Sequence, residues 1–192
     1  MIGQPSDPAT PAEFTLPTGL EVLHPAATVA RTVQRLGREI RDHYGDRQLL
    51  MVAIMDGALI FAADLLRHLP PWTHLATMRA SSYRAGARRP GTLELAPDPP
   101  NIGGRHLLLV DDIIDTGQTL DRIRRRLLDL EPASLEICVL LNKEQRRQVQ
   151  VPLAWVGLHV PDRFVVGYGL DDHGRHRNLP CIAAVVDGDG AR

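Results

Sequence analysis

Three aspartates lie at the end of an apolar run in the segment Leu107–Leu120, which has the sequence LLLVDDIIDTGQTL. Asp111 and Asp112 are adjacent, and Asp115 follows three positions later. A polar turn comes next, made of Thr116, Gly117, Gln118 and Thr119. Backbone N–H groups and hydroxyls at the start of a helix bind phosphate well. Paired carboxylates are tolerated beside phosphate when they accept hydrogen bonds from sugar hydroxyls or bind a divalent cation.

The same pair of acids occurs in other settings. An ordinary strand–loop–helix unit can carry a solvated acidic turn. The aspartate-rich motif of prenyl-diphosphate enzymes has a similar spacing, but it lies on helices of all-α proteins, whereas here an apolar strand precedes it. A signalling receiver domain has a strand that ends in two acids, but it needs more chain than the 81 residues that follow Asp111.

The spacing of apolar residues predicts the elements that position this segment. Four runs have strand length and are mainly apolar rather than alternating: Leu49–Met55, Leu75–Met78, Leu107–Val110 and Ser134–Leu141. Three stretches of helical character alternate with them: Ala26–His43, Ala58–His68 and Gln118–Leu130. This alternation is typical of an α/β fold with an open, mostly parallel sheet flanked by helices on both faces. In such sheets ligands bind beyond the carboxyl ends of the strands.

A single domain is expected over residues 13–192, with a core at about 26–148 and a small hood subdomain made of 13–25 and 149–192. Residues 1–12 are rich in proline and polar residues, which predicts a disordered tail. Residues 81–104 are rich in proline and glycine and include Arg84, Arg88 and Arg89. Such a long stretch without regular structure predicts either a mobile lid or an ordinary surface loop.

Composition excludes several classes of function. The chain has 22 basic and 23 acidic residues, and this balance argues against nucleic-acid binding, which needs a basic excess. We find neither a signal peptide nor an apolar run long enough to span a membrane. Cys138 and Cys181 lie in apolar runs, which predicts buried free thiols. We therefore expect a cytoplasmic protein.

The segment Leu107–Leu120 resembles the binding signature for phosphoribosyl pyrophosphate (PRPP) of type I phosphoribosyltransferases. Further resemblances narrow the match to the hypoxanthine/guanine branch of bacterial type, and together they cover about residues 20–186 in the family's order. Met51–Arg67 resembles the strand and helix around the pyrophosphate loop, and Ser81–Tyr83 the start of the mobile lid. Leu140–Lys143 resembles the base-recognition segment. The hood of the family is matched by Pro161–Asp171 and Arg177–Pro180.

For PRPP, this resemblance implies that Asp111 and Asp112 bind the ribose hydroxyls, directly or through Mg²⁺. Asp115 would take or hold the proton on N7 of the purine while N9 attacks C1 of the ribose. The turn from Asp115 to Thr119, including Gln118, would surround the 5′-phosphate. Ser82 and Tyr83 would close over the site and exclude water.

For the purine, the resemblance implies that Lys143 donates a hydrogen bond to O6 and so selects 6-oxopurines; an ordinary solvated lysine is the alternative. Phe164 would stack on the ring, and the backbone of Val165 would contact its edge. Asp171 would bind a second Mg²⁺ or the 2-position of guanine. Arg177 would bind pyrophosphate, because its planar fork matches phosphate oxygens.

The turn Asp56–Gly57 departs from the family, which usually has Lys or Arg at the position of Asp56. Either the turn binds pyrophosphate through backbone N–H groups, or pyrophosphate binding is weakened. The implied function is synthesis of IMP or GMP from PRPP and hypoxanthine or guanine, by a homodimer or homotetramer. The alternatives are a PRPP- or nucleotide-binding regulator of the same fold and a xanthine-preferring enzyme.

Overall fold

A computed structural model describes residues 15–82, 93–95 and 101–186 of the chain. The predicted tail at residues 1–12, Tyr83 and the basic cluster at residues 84–89 lie outside these ranges. Within them the elements follow one another as β1 Leu20–His24, α1 Ala26–Tyr44, β2 Leu49–Met55, α2 Leu59–Leu66, β3 His74–Ser82, β4 Leu93–Leu95, β5 His106–Ile114, α3 Gln118–Leu128, β6 Ser134–Asn142, β7 Trp155–His159, β8 Val165–Val166 and β9 Ile182–Val185.

The larger sheet has the strand order β4-β3-β2-β5-β6-β7, and all of its neighbours are parallel except β4, which is antiparallel to β3. Successive residues of a strand point to opposite faces, and both faces of β2 and β5 are covered. Met51 and Leu108 pack with α1 and α2, whereas Val52 and Leu109 pack with α3. The prediction of a mostly parallel sheet flanked by helices is therefore confirmed.

A smaller antiparallel sheet has the order β1-β9-β8. Val165 and Ile182 belong to the same apolar cluster as α1 and α2, so this sheet packs on the core. The prediction that Trp155–His159 belong to the hood is wrong, because this segment forms β7 and pairs with β6 in the larger sheet. Gly157 allows this close pairing, since a Cβ there would lie only 3.2 Å from Leu140 Cα.

Two strands differ from prediction where they reach the site. β5 continues to Ile114, so Asp111 and Asp112 lie inside the strand rather than after it. β3 continues to Ser82 and pairs with β4, so the prediction that residues 81–104 lack regular structure is wrong for these strands. In both places polar residues extend a strand because a neighbouring strand completes its backbone hydrogen bonds.

Both cysteines are buried and free, as predicted, and burial raises the pKa of the Cys138 and Cys181 thiols. Among the helices described here, none combines the length and apolar character needed to cross a bilayer.

Candidate active site

A cavity of about 1030 Å³ lies at the carboxyl ends of β2, β5 and β6 and is closed on one side by residues of the hood. Thirteen of the predicted site residues line it: Asp56, Gly57, Asp111, Asp112, Asp115, Thr116, Gly117, Thr119, Lys143, Phe164, Val165, Asp171 and Arg177. Gln118 is not among the lining residues, and its side chain instead donates to Gln148 Oε1 at 2.7 Å. Ser82 is the last residue of β3.

The acid pair lies on the floor of this cavity. Asp111 Oδ1 accepts the backbone N–H of Asp112 at 3.0 Å, and Asp112 Oδ1 accepts that of Ile113 at 2.8 Å. Burial raises the pKa of Asp111 well above its usual range, and the charge of Asp112 raises it further. Burial also raises the pKa of Asp112, although its hydrogen bonds oppose this. Two carboxylates kept out of water at this cost are suited to a cationic or hydroxyl-bearing ligand.

Glycine is required where the pyrophosphate turn, defined as residues 56–58, meets this pair. A Cβ on Gly57 would lie 2.7 Å from Asp112 Cγ and still closer to its Oδ2. Gly169 of the hood, with φ of +106°, packs on the Gly57 carbonyl oxygen so closely that a Cβ would overlap it. Gly57 of the turn after β2, Asp112 of β5 and Gly169 of the hood are therefore packed together without space for another atom.

The turn before α3 has the geometry of an anion site. Gly117 is the N-cap with φ of 84° and has no side chain to cap the helix. The N–H of Gln118 donates over a long 3.4 Å to Thr116 Oγ1, and the next N–H groups of the first turn remain open to a ligand. Behind the turn, the backbone N–H groups of Gln148 and Val149 donate to Thr116 O at 2.9 and 3.0 Å. Arg147 Nε donates to Asp115 O at 3.1 Å. Three residues outside the cavity lining, Arg147, Gln148 and Val149, therefore hold the turn before α3 in place.

Asp115 lines the cavity and carries a carboxylate oxygen to which no residue in the described ranges donates a hydrogen bond. Its side chain is 38% exposed, yet Oδ1 is shielded from solvent and accepts no hydrogen bond from the described residues. The nearest cation is Arg146, whose Nε lies 3.5 Å from this oxygen and 3.8 Å from Asp162 Oδ1. A buried acceptor without a donor favours binding of a ligand N–H or O–H group.

The opposite wall combines a buried cation with an exposed ring. Lys143 is 6% exposed, and its Nζ donates to Arg163 O at 2.9 Å. Phe164 is 56% exposed although it is aromatic, while Val165 beside it is buried. An exposed aromatic ring beside a buried amine suits a flat heterocycle with an acceptor on its edge.

The remaining charged residues of the predicted site already have partners. Arg177 Nη2 lies 2.8 Å from Asp171 Oδ1, and its Nη1 donates to Gly169 O at 2.6 Å. Asp171 Oδ2 accepts the N–H of Gly174 at 2.6 Å. Asp56 Oδ1 lies 3.2 Å from Nη2 of Arg79, a residue of β3.

Several residues of the site had no prediction. Arg146, Asp162 and Arg163 line the cavity. Arg147 donates to Asn142 Oδ1 at 2.6 Å as well as to Asp115 O. It therefore connects the end of β6, next to Lys143, to the turn before α3. The sequence feature that could have predicted a role for Arg146 and Arg147 is their position three and four residues after Lys143.

Metal binding depends on few protein ligands here. In the part of the chain described, no three His, Cys, Asp or Glu side chains form a ready metal cluster. Asp111, which is buried, and Asp112, which is half-buried, nevertheless form a pair of oxygen ligands. Mg²⁺ usually binds through one or two carboxylates and completes its shell with water and phosphate oxygens, so the pair fits such an ion.

Comparison with known proteins places the chain in a family. A family model described as a phosphoribosyl transferase domain matches residues 20–173. The hypoxanthine phosphoribosyltransferase of Haemophilus influenzae is 42% identical over 171 residues, which cover 87% of this chain and 96% of that protein. The hypoxanthine-guanine-xanthine phosphoribosyltransferase of Tritrichomonas foetus is 36% identical, covering 86% of this chain and 91% of its own. A crystal structure of a Bacillus anthracis hypoxanthine-guanine phosphoribosyltransferase has a TM-score of 0.79 and 35% identity, covering 86% of this chain and 98% of its own. The chain belongs to the phosphoribosyltransferase family.

Proposed function

We propose that this protein is a purine salvage enzyme that joins hypoxanthine or guanine to PRPP and forms IMP or GMP with release of pyrophosphate. One observation carries the proposal: a single cavity is lined both by the Asp111–Thr119 segment and by Lys143 with Phe164. The first set suits a phosphorylated sugar, and the second suits a flat base with an acceptor on its edge. Relatives that the chain matches over most of its length are named for this activity.

In the proposed reaction, N9 of the purine bonds to C1 of the ribose while the bond from C1 to the pyrophosphate oxygen breaks. Asp115 accepts or holds the proton on N7, and this role is supported by its Oδ1, which accepts no hydrogen bond from the described residues. The open N–H groups at the start of α3 bind the 5′-phosphate. Charge on the ribose rises in an oxocarbenium-like transition state, and exclusion of water prevents hydrolysis of PRPP. Ser82 and Tyr83 are proposed to take part in that exclusion.

Base selection is proposed to depend on Lys143 and Phe164. The Lys143 amine has three N–H donors, and one of them is used by Arg163 O. A second donor is available to O6 of hypoxanthine or guanine. Adenine has a donor at that position, so its binding would leave buried polar groups unpaired, which is costly.

The proposal includes Mg²⁺, with Asp111 and Asp112 as its protein ligands and Asp171 as the candidate for a second ion. A bound divalent cation neutralises charge on the leaving pyrophosphate. These residues also have a role that needs no metal, because the carboxylates can accept hydrogen bonds from the ribose hydroxyls. Asp171 would have to release Arg177 in order to bind an ion, since the two are paired at 2.8 Å.

The test is synthesis of nucleotide. Purified protein is mixed with Mg²⁺, PRPP and hypoxanthine, and IMP is measured by chromatography, with adenine in place of hypoxanthine as the matched control. We expect IMP from hypoxanthine and little or no AMP from adenine. Tight PRPP binding without nucleotide from any 6-oxopurine would overturn the proposal and favour a regulator of the same fold.

A xanthine-preferring enzyme is the second candidate, because one relative at 36% identity is named for hypoxanthine, guanine and xanthine together. All three bases carry O6, so Lys143 does not separate them. Competition kinetics with the three bases would identify the preferred substrate. We also propose that the enzyme acts in the cytoplasm and forms a homodimer or homotetramer. Light scattering of the purified protein would test the oligomeric state.

A further inference from the structure

Acidic side chains outnumber basic ones in the cavity lining, and the proposed Mg²⁺ at Asp111 and Asp112 leaves the charge of Asp56, on the pyrophosphate turn, without compensation. Six carboxylates line the cavity, from Asp56, Asp111, Asp112, Asp115, Asp162 and Asp171. Four cationic side chains line it, from Lys143, Arg146, Arg163 and Arg177. Asp56 lies on the pyrophosphate turn, where a negative side chain would repel the leaving group of PRPP.

The lining cations are already engaged by other groups. Arg163 Nη1 lies 2.7 Å from Glu21 Oε2, and Arg177 Nη2 lies 2.8 Å from Asp171 Oδ1. Arg146 lies near two aspartates, and Lys143 donates to a backbone carbonyl. Only part of their charge is therefore available to pyrophosphate.

Arg79 reaches the pyrophosphate turn from the neighbouring strand. It pairs in parallel register with Met55, the last residue of β2, so both strands end at the same edge of the sheet. Its Nη2 donates to Asp56 Oδ1 at 3.2 Å. A guanidinium has five N–H donors in a planar fork, and Arg79 is 71% exposed, so its other donors are accessible.

This ion pair contributes little to folding. Pairs with both partners in solvent have small effects on stability, and the Asp56 side chain is 58% exposed. The pair is therefore better explained by what it does at the rim of the cavity. A carboxylate that engages one nitrogen of an arginine restricts where the rest of the fork points.

We propose that Arg79 supplies the pyrophosphate-binding cation of this site and that Asp56 acts through it, as a positioning residue that does not itself contact pyrophosphate. The inference rests on the proposed function. It assigns to β3 a positive charge that the turn itself lacks. It also gives the acid at position 56 a role that is consistent with binding a polyanion.

The first test compares Arg79→Gln with Arg125→Gln, which removes the same charge from an exposed arginine that pairs with Asp121 on α3. We expect Arg79→Gln to raise KM for PRPP, and KM for pyrophosphate in the reverse reaction with IMP, by roughly tenfold or more, as expected for loss of a hydrogen bond to a charged group. KM for hypoxanthine should stay within about twofold, because the base binds on the opposite wall. Equal KM values for pyrophosphate in the two variants would overturn the proposal.

The second test exchanges the pair in the variant Asp56→Arg/Arg79→Asp. Net charge is unchanged and the cation moves onto the turn. We expect this variant to recover most of the loss seen in Arg79→Gln, which a purely structural role would not predict. A folded double variant that recovers nothing would overturn the proposal, because the charge at this edge would then not be what Arg79 contributes.

Failure of the proposed function can be distinguished from failure of this inference. If the wild-type protein makes no IMP, the proposed function fails, and calorimetric titration with pyrophosphate still compares wild type with Arg79→Gln. Weaker binding by the variant supports the assignment of Arg79, and equal binding overturns it. If wild type makes IMP and Arg79→Gln matches Arg125→Gln, only the inference fails.

Discussion

Replacement of Gly57 by alanine tests whether the pyrophosphate turn and the acid pair share one packed contact. The new Cβ would lie 2.7 Å from Asp112 Cγ, about 0.7 Å inside the 3.4 Å at which ordinary contact begins. The obstacle is the Asp112 carboxyl group, whose Oδ1 accepts the N–H of Ile113 at 2.8 Å, so rotating it away would break that hydrogen bond. Overpacking of this kind costs about 1–3 kcal/mol, and a displacement near 1 Å in an active site can cost roughly 100-fold in rate.

The measurement has two parts. We expect Gly57→Ala to lower the free energy of unfolding in urea by about 1–3 kcal/mol and kcat/KM for PRPP by roughly 100-fold. Gly103→Ala is the matched control, because a Cβ there would lie 3.6 Å from Leu130 O, an ordinary contact. It also lies in a turn before β5, outside the cavity lining.

A double-mutant cycle identifies the contact. In an Asp112→Ala background the obstacle is gone, so Gly57→Ala should destabilise much less than in wild type. If Gly57→Ala leaves stability and PRPP kinetics unchanged, or if the two substitutions are additive, the argument that Gly57 is required by Asp112 is refuted.

Three further predictions concern other parts of the site. Asp115→Asn should lower turnover strongly while PRPP binding is largely kept, and unchanged turnover in a steady-state assay would remove Asp115 from its proposed role. Asp111→Asn should abolish PRPP binding but raise the free energy of unfolding at pH 8, because burial raises the pKa of Asp111 and Asn carries no charge to bury. With a raised native pKa, stability is complete below the unfolded value of about 3.9 and is lost as pH rises through the native pKa, so the gain should be seen in denaturation at pH 8 and disappear near pH 4. Tyr168→Phe, which removes a 2.6 Å hydrogen bond to Asp64, should destabilise by about 1 kcal/mol; an unchanged urea midpoint would contradict this.

The parts of the fold that depend on local patterns were predictable. β2 runs from Leu49 to Met55 as predicted, because all its residues are apolar and a glycine turn follows. The Leu107–Leu120 segment indicated its own family, because strand, acids and glycine are contiguous. Membership of that family is confirmed by the match over residues 20–173.

The parts that depend on contacts between distant residues were not predictable. β7 contains Gly157, which resembles a loop signal until the close approach of Leu140 is known. The pairing of Asp56 with Arg79 requires the register of two strands. From the sequence, Asp56 was an anomaly in its turn, whereas in the structure its charge has a partner.

These distant contacts also link the two halves of the cavity. Tyr168 donates to Asp64 of α2, and the adjacent Gly169 packs on the carbonyl of Gly57. Gly57 in turn packs on Asp112, so the loop after β8 rests on the carboxyl end of β5. Interiors this closely packed transmit small displacements rather than absorb them. On the proposed function, a base bound against Phe164 and the pyrophosphate of PRPP would therefore depend on the same backbone contact, which is consistent with glycine at both positions.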